Sequence, residues 1–150
     1  MGGLLVVSNR EEVRNAHYFK NPEALDSFLN AFPEHSALLF AFWSWVVPPW
    51  RLQTRKCWGL HTGPLLEGRG RGGDPIGNLK KLGVSWTTLC AFEMDEGIDT
   101  GRVKLALPLY IGGEEPIIVK KIDSLLPDIK DYLTAHQPEI PAFFKRSDAK

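Results

Sequence analysis

The sequence predicts an α/β fold built on an open, mostly parallel sheet, and three observations predict it. Apolar runs of strand length alternate with stretches of helical periodicity from Leu4 to Leu133. Two of the helical stretches open on the same signature, a capping Asn or Asp followed by Pro, at Asn21-Pro22 and Asp74-Pro75. The 150 residues suffice to bury a core without staples, and no linker, repeat or low-complexity tract divides them, so 1–150 reads as a single domain.

The elements follow in order. Leu4 to Val7 is a short apolar run that suits a buried strand. Asn21-Pro22 opens a helix that carries Leu25, Phe28, Leu29 and Phe32 at helical spacing and stops at Pro33. Ala37 to Phe42 is the next strand, and Pro48-Pro49 leads into a short helix through Leu52. Cys57 to Leu60 is a buried strand ending at His61. Asp74-Pro75 opens a second helix with Ile76, Leu79 and Leu82 on its apolar face. Trp86 to Met94 and Val103 to Leu109 alternate as strands, with an acidic turn between them. Ile118, Ile122, Leu125, Leu126, Ile129 and Leu133 keep helical spacing, and Pro127 within them predicts a kink or two abutting helices. The tail from Phe143 to Arg146 forms a last short strand or packs loosely.

Charge and composition narrow the function. Eighteen basic residues balance eighteen acidic ones, which argues against a nucleic-acid surface. The longest apolar run, Ala37 to Trp50, is broken by Ser44, Pro48 and Pro49 and is too short to span a bilayer. No charged segment followed by an apolar stretch opens the sequence, so no signal peptide is expected. Cys57 and Cys90 both fall in strands and read as buried free thiols, with a disulfide as the alternative. These features lead us to expect a cytoplasmic protein without metal.

Two groups carry the chemistry. His61 falls at a strand end, where ligands of open α/β sheets bind. It opens a loop in which six glycines from Gly59 to Gly73 permit close backbone approach, with Arg69 and Arg71 held between them. Those arginines either pair with a carboxylate or phosphate of a substrate, or brace the loop against Glu67 or Asp74. Asp99 lies in the turn Met94-Asp95-Glu96-Gly97-Ile98-Asp99-Thr100-Gly101; it is either a turn residue or a carboxylate that meets the imidazole across strands. Phe42-Trp43-Ser44-Trp45 supplies rings for a core or for the wall of a flat heterocycle's pocket. The glycine loop lacks the phosphate-loop lysine, and no dinucleotide fingerprint follows the first strand.

At these residues the chain resembles the formyltransferases that use 10-formyltetrahydrofolate. Three blocks carry the resemblance: Phe42-Trp43-Ser44-Trp45-Val46-Val47-Pro48, the loop from His61 through Gly68-Arg69-Gly70 to Pro75-Ile76 and Asn78-Leu79, and the aspartate turn ending Ile98-Asp99-Thr100-Gly101. Phe144-Lys145-Arg146 is similar to the end of the small-molecule branch of that family. The resemblance implies an open, mostly parallel Rossmann-like sheet of the formyltransferase type, lacking the usual first strand-helix unit. It implies formyl transfer from 10-formyltetrahydrofolate to the amine of a small-molecule acceptor, an amino sugar nucleotide or a modified amino acid. His61 and Asp99 take the catalytic positions. Trp45, Val46, Val47, Asp95 and Glu96 take those that hold the pterin, while Arg69, Arg71 and Asn78 face the acceptor. Where the family commonly has asparagine two residues before the histidine, this chain has Gly59, and its glycine-arginine loop is about two residues longer. The alternative is a weak or inactive formyltransferase-like module that binds folate or a partner. Apolar surface from Trp43 to Trp50, or an uncovered sheet edge, would favour a homodimer.

Overall fold

The structure, a computed structural model, describes residues 3–62, 80–94 and 103–135. Its elements in chain order are β1 (Leu4–Ser8), β2 (His17–Tyr18), α1 (Pro22–Ala31), β3 (Ala37–Phe40), α2 (Pro49–Thr54), β4 (Lys56–Thr62), β5 (Trp86–Glu93), β6 (Val103–Tyr110) and α3 (Glu115–Ala135). The strands form one six-stranded sheet in the order β2-β1-β3-β4-β5-β6. β2, β1, β3 and β4 run parallel, and β5 and β6 are antiparallel additions. The α/β reading therefore holds, and the sheet is mixed.

Period-two alternation sorts the strand residues onto two faces. Leu4, Val6, Ala37, Leu39, Trp58, Leu89, Ala91 and Leu109 point to one face, where they meet Ile118, Ile122, Leu126, Ile129 and Leu133 of α3. Val7, Leu38, Phe40 and Cys57 point to the other, where Leu25 and Leu29 of α1 and Leu52 of α2 cover them. α1 starts as its sequence dictates: the Asn21 side chain accepts the Ala24 N–H at 2.8 Å, and Pro22 occupies the first turn.

The structure decides between two alternatives at Pro127, corrects one expectation and adds one strand. α3 is one helix from Glu115 to Ala135, with Pro127 inside it rather than between two helices. Pro127 has no N–H to give to the carbonyl of Asp123, four residues earlier. Asn15 Nδ2 donates to that carbonyl at 3.0 Å instead, and the Asp123 carboxylate accepts the backbone N–H groups of Arg14 and Asn15, each at 2.8 Å. The segment after β1 is thus bonded to the turn of α3 that proline would otherwise leave unsatisfied. Leu82, expected on an apolar helical face, is 78% exposed. The helical turn at Lys80–Lys81 stops at Gly83, whose φ of 82° suits the left-handed turn that leads into β5. β2, which the sequence reading passed over, is two exposed residues pairing with Val7 and Ser8. The helix expected from Pro75 lies outside the described residues as far as Leu79, as does the tail from Phe143.

Candidate active site

β3 and β4 set the position of His61. In their parallel register Phe40, the last residue of β3, lies beside Gly59. β4 runs three residues further, to Thr62, so His61 stands beyond the carboxyl end of β3 and inside a strand rather than just after one. There it pairs across with Cys90 of β5. His61 and Gly59 share the α1/α2 face with Cys57, and Trp58 and Leu60 pack on the α3 face. His61 is half-buried. Cys90 is 5% exposed, and burial pushes its thiol pKa up, so it stays a protonated thiol and not a nucleophile.

The chain leaving β3 forms the neighbouring wall. Phe42 has a φ of 59°, a left-handed conformation that costs a non-glycine residue about 1–2 kcal/mol. Asn9 holds this bend. Its side-chain oxygen accepts the Ser44 N–H at 3.1 Å, its amide donates to Ser44 Oγ at 3.1 Å, and its own N–H donates to the Phe42 carbonyl at 3.3 Å. Beyond the bend, Trp43 packs against Phe40 and Trp45 with ring centroids 5.3 and 5.1 Å apart.

A recess of about 50 Å³ opens between this segment, α1 and α2. Phe40, Trp43, Val46 and Val47 make it apolar, and Asp26 and Arg51 give it a charged wall. Arg51 is buried, pairs with Asp26 and lies over the Trp50 ring, its guanidinium carbon 4.6 Å from the centroid. A water needs about 10–15 Å³ of such space, so the recess admits a few waters as it stands.

The structure thus brings His61 and the 42–47 segment to the same edge of the sheet. Val46 and Val47 line the recess; Trp45, 38% exposed, packs on Trp43 instead of lining it. Asp95, Glu96, Asp99, Arg69, Arg71 and Asn78 lie outside the described residues. The strand ends that bracket the aspartate turn are described. The Met94 N–H donates to the Cys57 carbonyl at 2.9 Å, Met94 packs on the α1/α2 side with Phe40 and Cys57, and β6 begins at Val103. Asn9, Arg51 and the Cys90 pairing escaped the sequence reading. Asn9 alone left a signal, an amide side chain directly after a strand at the carboxyl edge. Among the described residues no three His, Cys, Asp or Glu side chains gather as a metal site.

Comparison with solved structures decides the fold. Methionyl-tRNA formyltransferase from Clostridium thermocellum superposes with a TM-score of 0.75 over 93% of this chain and 67% of its own, at 23% identity. The chain has the formyltransferase fold. Glycinamide ribonucleotide transformylase 1 from Geobacillus kaustophilus shares this formyltransferase fold, with a TM-score of 0.60, 23% identity, and 88% and 82% of the two chains covered. So does HypX from Aquifex aeolicus in complex with tetrahydrofolic acid, at 0.67, 12% identity, and 91% and 27% covered. In sequence, the chain is 37% identical over 62 residues to a methionyl-tRNA formyltransferase of Xanthomonas euvesicatoria. That stretch is 41% of this chain and 20% of the relative's length. No family model matches the sequence.

Proposed function

We propose that the protein transfers a formyl group from 10-formyltetrahydrofolate to the amine of a small-molecule acceptor, an amino sugar nucleotide or a modified amino acid. The observation that carries this reading is the place of His61, at the carboxyl edge of a formyltransferase-type sheet and on the face of the apolar 42–47 wall. In the reaction the acceptor nitrogen bonds to the formyl carbon, the bond from that carbon to the folate nitrogen breaks, and one proton passes from amine to departing folate nitrogen. His61 stabilises the oxyanion that forms on the way and relays the proton. Asp99 orients the imidazole, directly or through a water. Chain length supports the pairing. Asp99 is four residues before Val103, a reach of at most about 14 Å. Val103 is level with Gly59, so reaching His61 takes about 10 Å across two strands and about 7 Å along β4, roughly 12 Å in all.

Val46 and Val47 offer the apolar side of the pterin site, and the backbone around Asp95 and Glu96 the donors and acceptors its polar edge needs. Arg69, Arg71 and Asn78 are assigned to the acceptor. The described helices include none long and apolar enough to cross a membrane, and the buried Cys57 and Cys90, not joined as a disulfide, suit the reducing cytoplasm.

The test is direct. The protein is mixed with 10-formyltetrahydrofolate and a panel of amines, and release of tetrahydrofolate is followed. Release that depends on one amine supports transfer. Folate binding by calorimetry with no release for any amine supports the second reading, a folate-binding module without turnover, which Gly59 beside His61 favours. No folate-induced rise in Tm would count against both, because a ligand that binds the native state must stabilise it.

A further inference from the structure

Gly59 stands two residues before His61 on the same face of β4, between Phe40 of β3 and Phe92 of β5. A side chain at this position would point where His61 points, one step deeper under the reacting centre. The structure leaves no room for one. A Cβ on Gly59 would lie 2.7 Å from Phe92 Cζ and 2.9 Å from Cε1, closer than carbon atoms tolerate. Phe92 is 3% exposed, so its ring has no open solvent to swing into. A glycine inside a central strand forfeits packing and backbone order, and the aromatic ring laid across it restores the packing.

We propose that Phe92 is a positioning residue of the transfer site. Its ring fills the volume over Gly59 and closes one flank of His61 to water. It also bars any side-chain oxyanion donor from position 59, leaving His61 as the polar side chain that β4 sets at the carboxyl edge of this face. The two residues are one unit: a donor at 59 and a ring at 92 exclude each other. This inference rests on the formyl-transfer reading.

Four proteins test it: wild type, Gly59→Asn, Phe92→Ala and the double variant, each measured for Tm and for kcat and KM of tetrahydrofolate release. Gly59→Asn should lower both Tm and kcat, because amide and ring compete for one space. Phe92→Ala should lower both by opening a void. In the double variant the amide fills that void, so its Tm should exceed that of Gly59→Asn. Its kcat should exceed that of Phe92→Ala at least about tenfold at similar KM, since an oxyanion donor is worth about 10² to 10³ in kcat. Phe92→Leu, which keeps the bulk, should retain most of the wild-type kcat. An active wild type whose double variant shows additive Tm losses and the kcat of Phe92→Ala would overturn the role of Phe92 and leave formyl transfer standing. A wild type that transfers formyl to no amine removes both, and additive or coupled Tm values then still decide whether the two positions share one space.

Discussion

His61→Ala is expected to lower kcat for formyl transfer at least about a hundredfold, because positioned acid–base groups contribute about 10² to 10⁴. A hundredfold loss corresponds to about 2.7 kcal/mol of transition-state stabilisation. The imidazole is placed to give this effect without holding the fold together. It is half-buried, next to last in β4, and the cores on both faces are built from other residues. Its neighbour across the sheet, Cys90, cannot take over, because burial favours the protonated thiol. Steady-state tetrahydrofolate release gives the rate, and a thermal melt of the same preparation separates a catalytic loss from unfolding. A variant with wild-type kcat would remove His61 from the mechanism.

Asp123→Ala is expected to cost roughly 3 kcal/mol of stability, and to lower Tm by roughly 10 °C for a chain of this size. The carboxylate is 7% exposed and accepts two backbone N–H groups, from Arg14 and Asn15. Alanine leaves both donors facing a buried space, and each charge-assisted bond is worth more than a neutral one. Asp123→Asn keeps one acceptor oxygen and should lose about half as much. Urea denaturation measures the difference, and a loss under about 1 kcal/mol for alanine would show that water satisfies the two donors. The effect extends to the site, because the segment bonded to Asp123 follows Asn9, which holds the bend at Phe42 and Ser44.

Local signals in the sequence reported local structure. Asn21-Pro22 names the start of α1 because capping involves residues three apart. The alternation of Leu105, Leu107 and Leu109 names β6 because burial on one face repeats every second residue, while Val103, at the β-bulge that opens the strand, is exposed. His61 was placed at the carboxyl edge by the same reasoning. What stayed hidden depends on partners far along the chain. Pro127 reads as a helix breaker until Asn15, 108 residues from Asp123, takes up the freed carbonyl. Gly59 reads as loop flexibility until the β4–β5 register lays Phe92 across it. β2 is two exposed residues whose pairing with β1 leaves no periodic mark. Trp45 reads as a pocket wall by position, yet its packing on Trp43 takes it off the recess that Val46 and Val47 line.

The central claim is that the imidazole of His61 and the carboxylate of Asp99 meet across a folate-sized cleft. A crystal structure of the protein bound to a non-transferring 10-formyltetrahydrofolate analogue measures this directly. The account predicts both groups within about 3 Å of each other or of one shared water, beside the analogue's formyl position. A bound analogue with Asp99 on the far side of the sheet from His61, or packed side chains filling the space between the two, would contradict it.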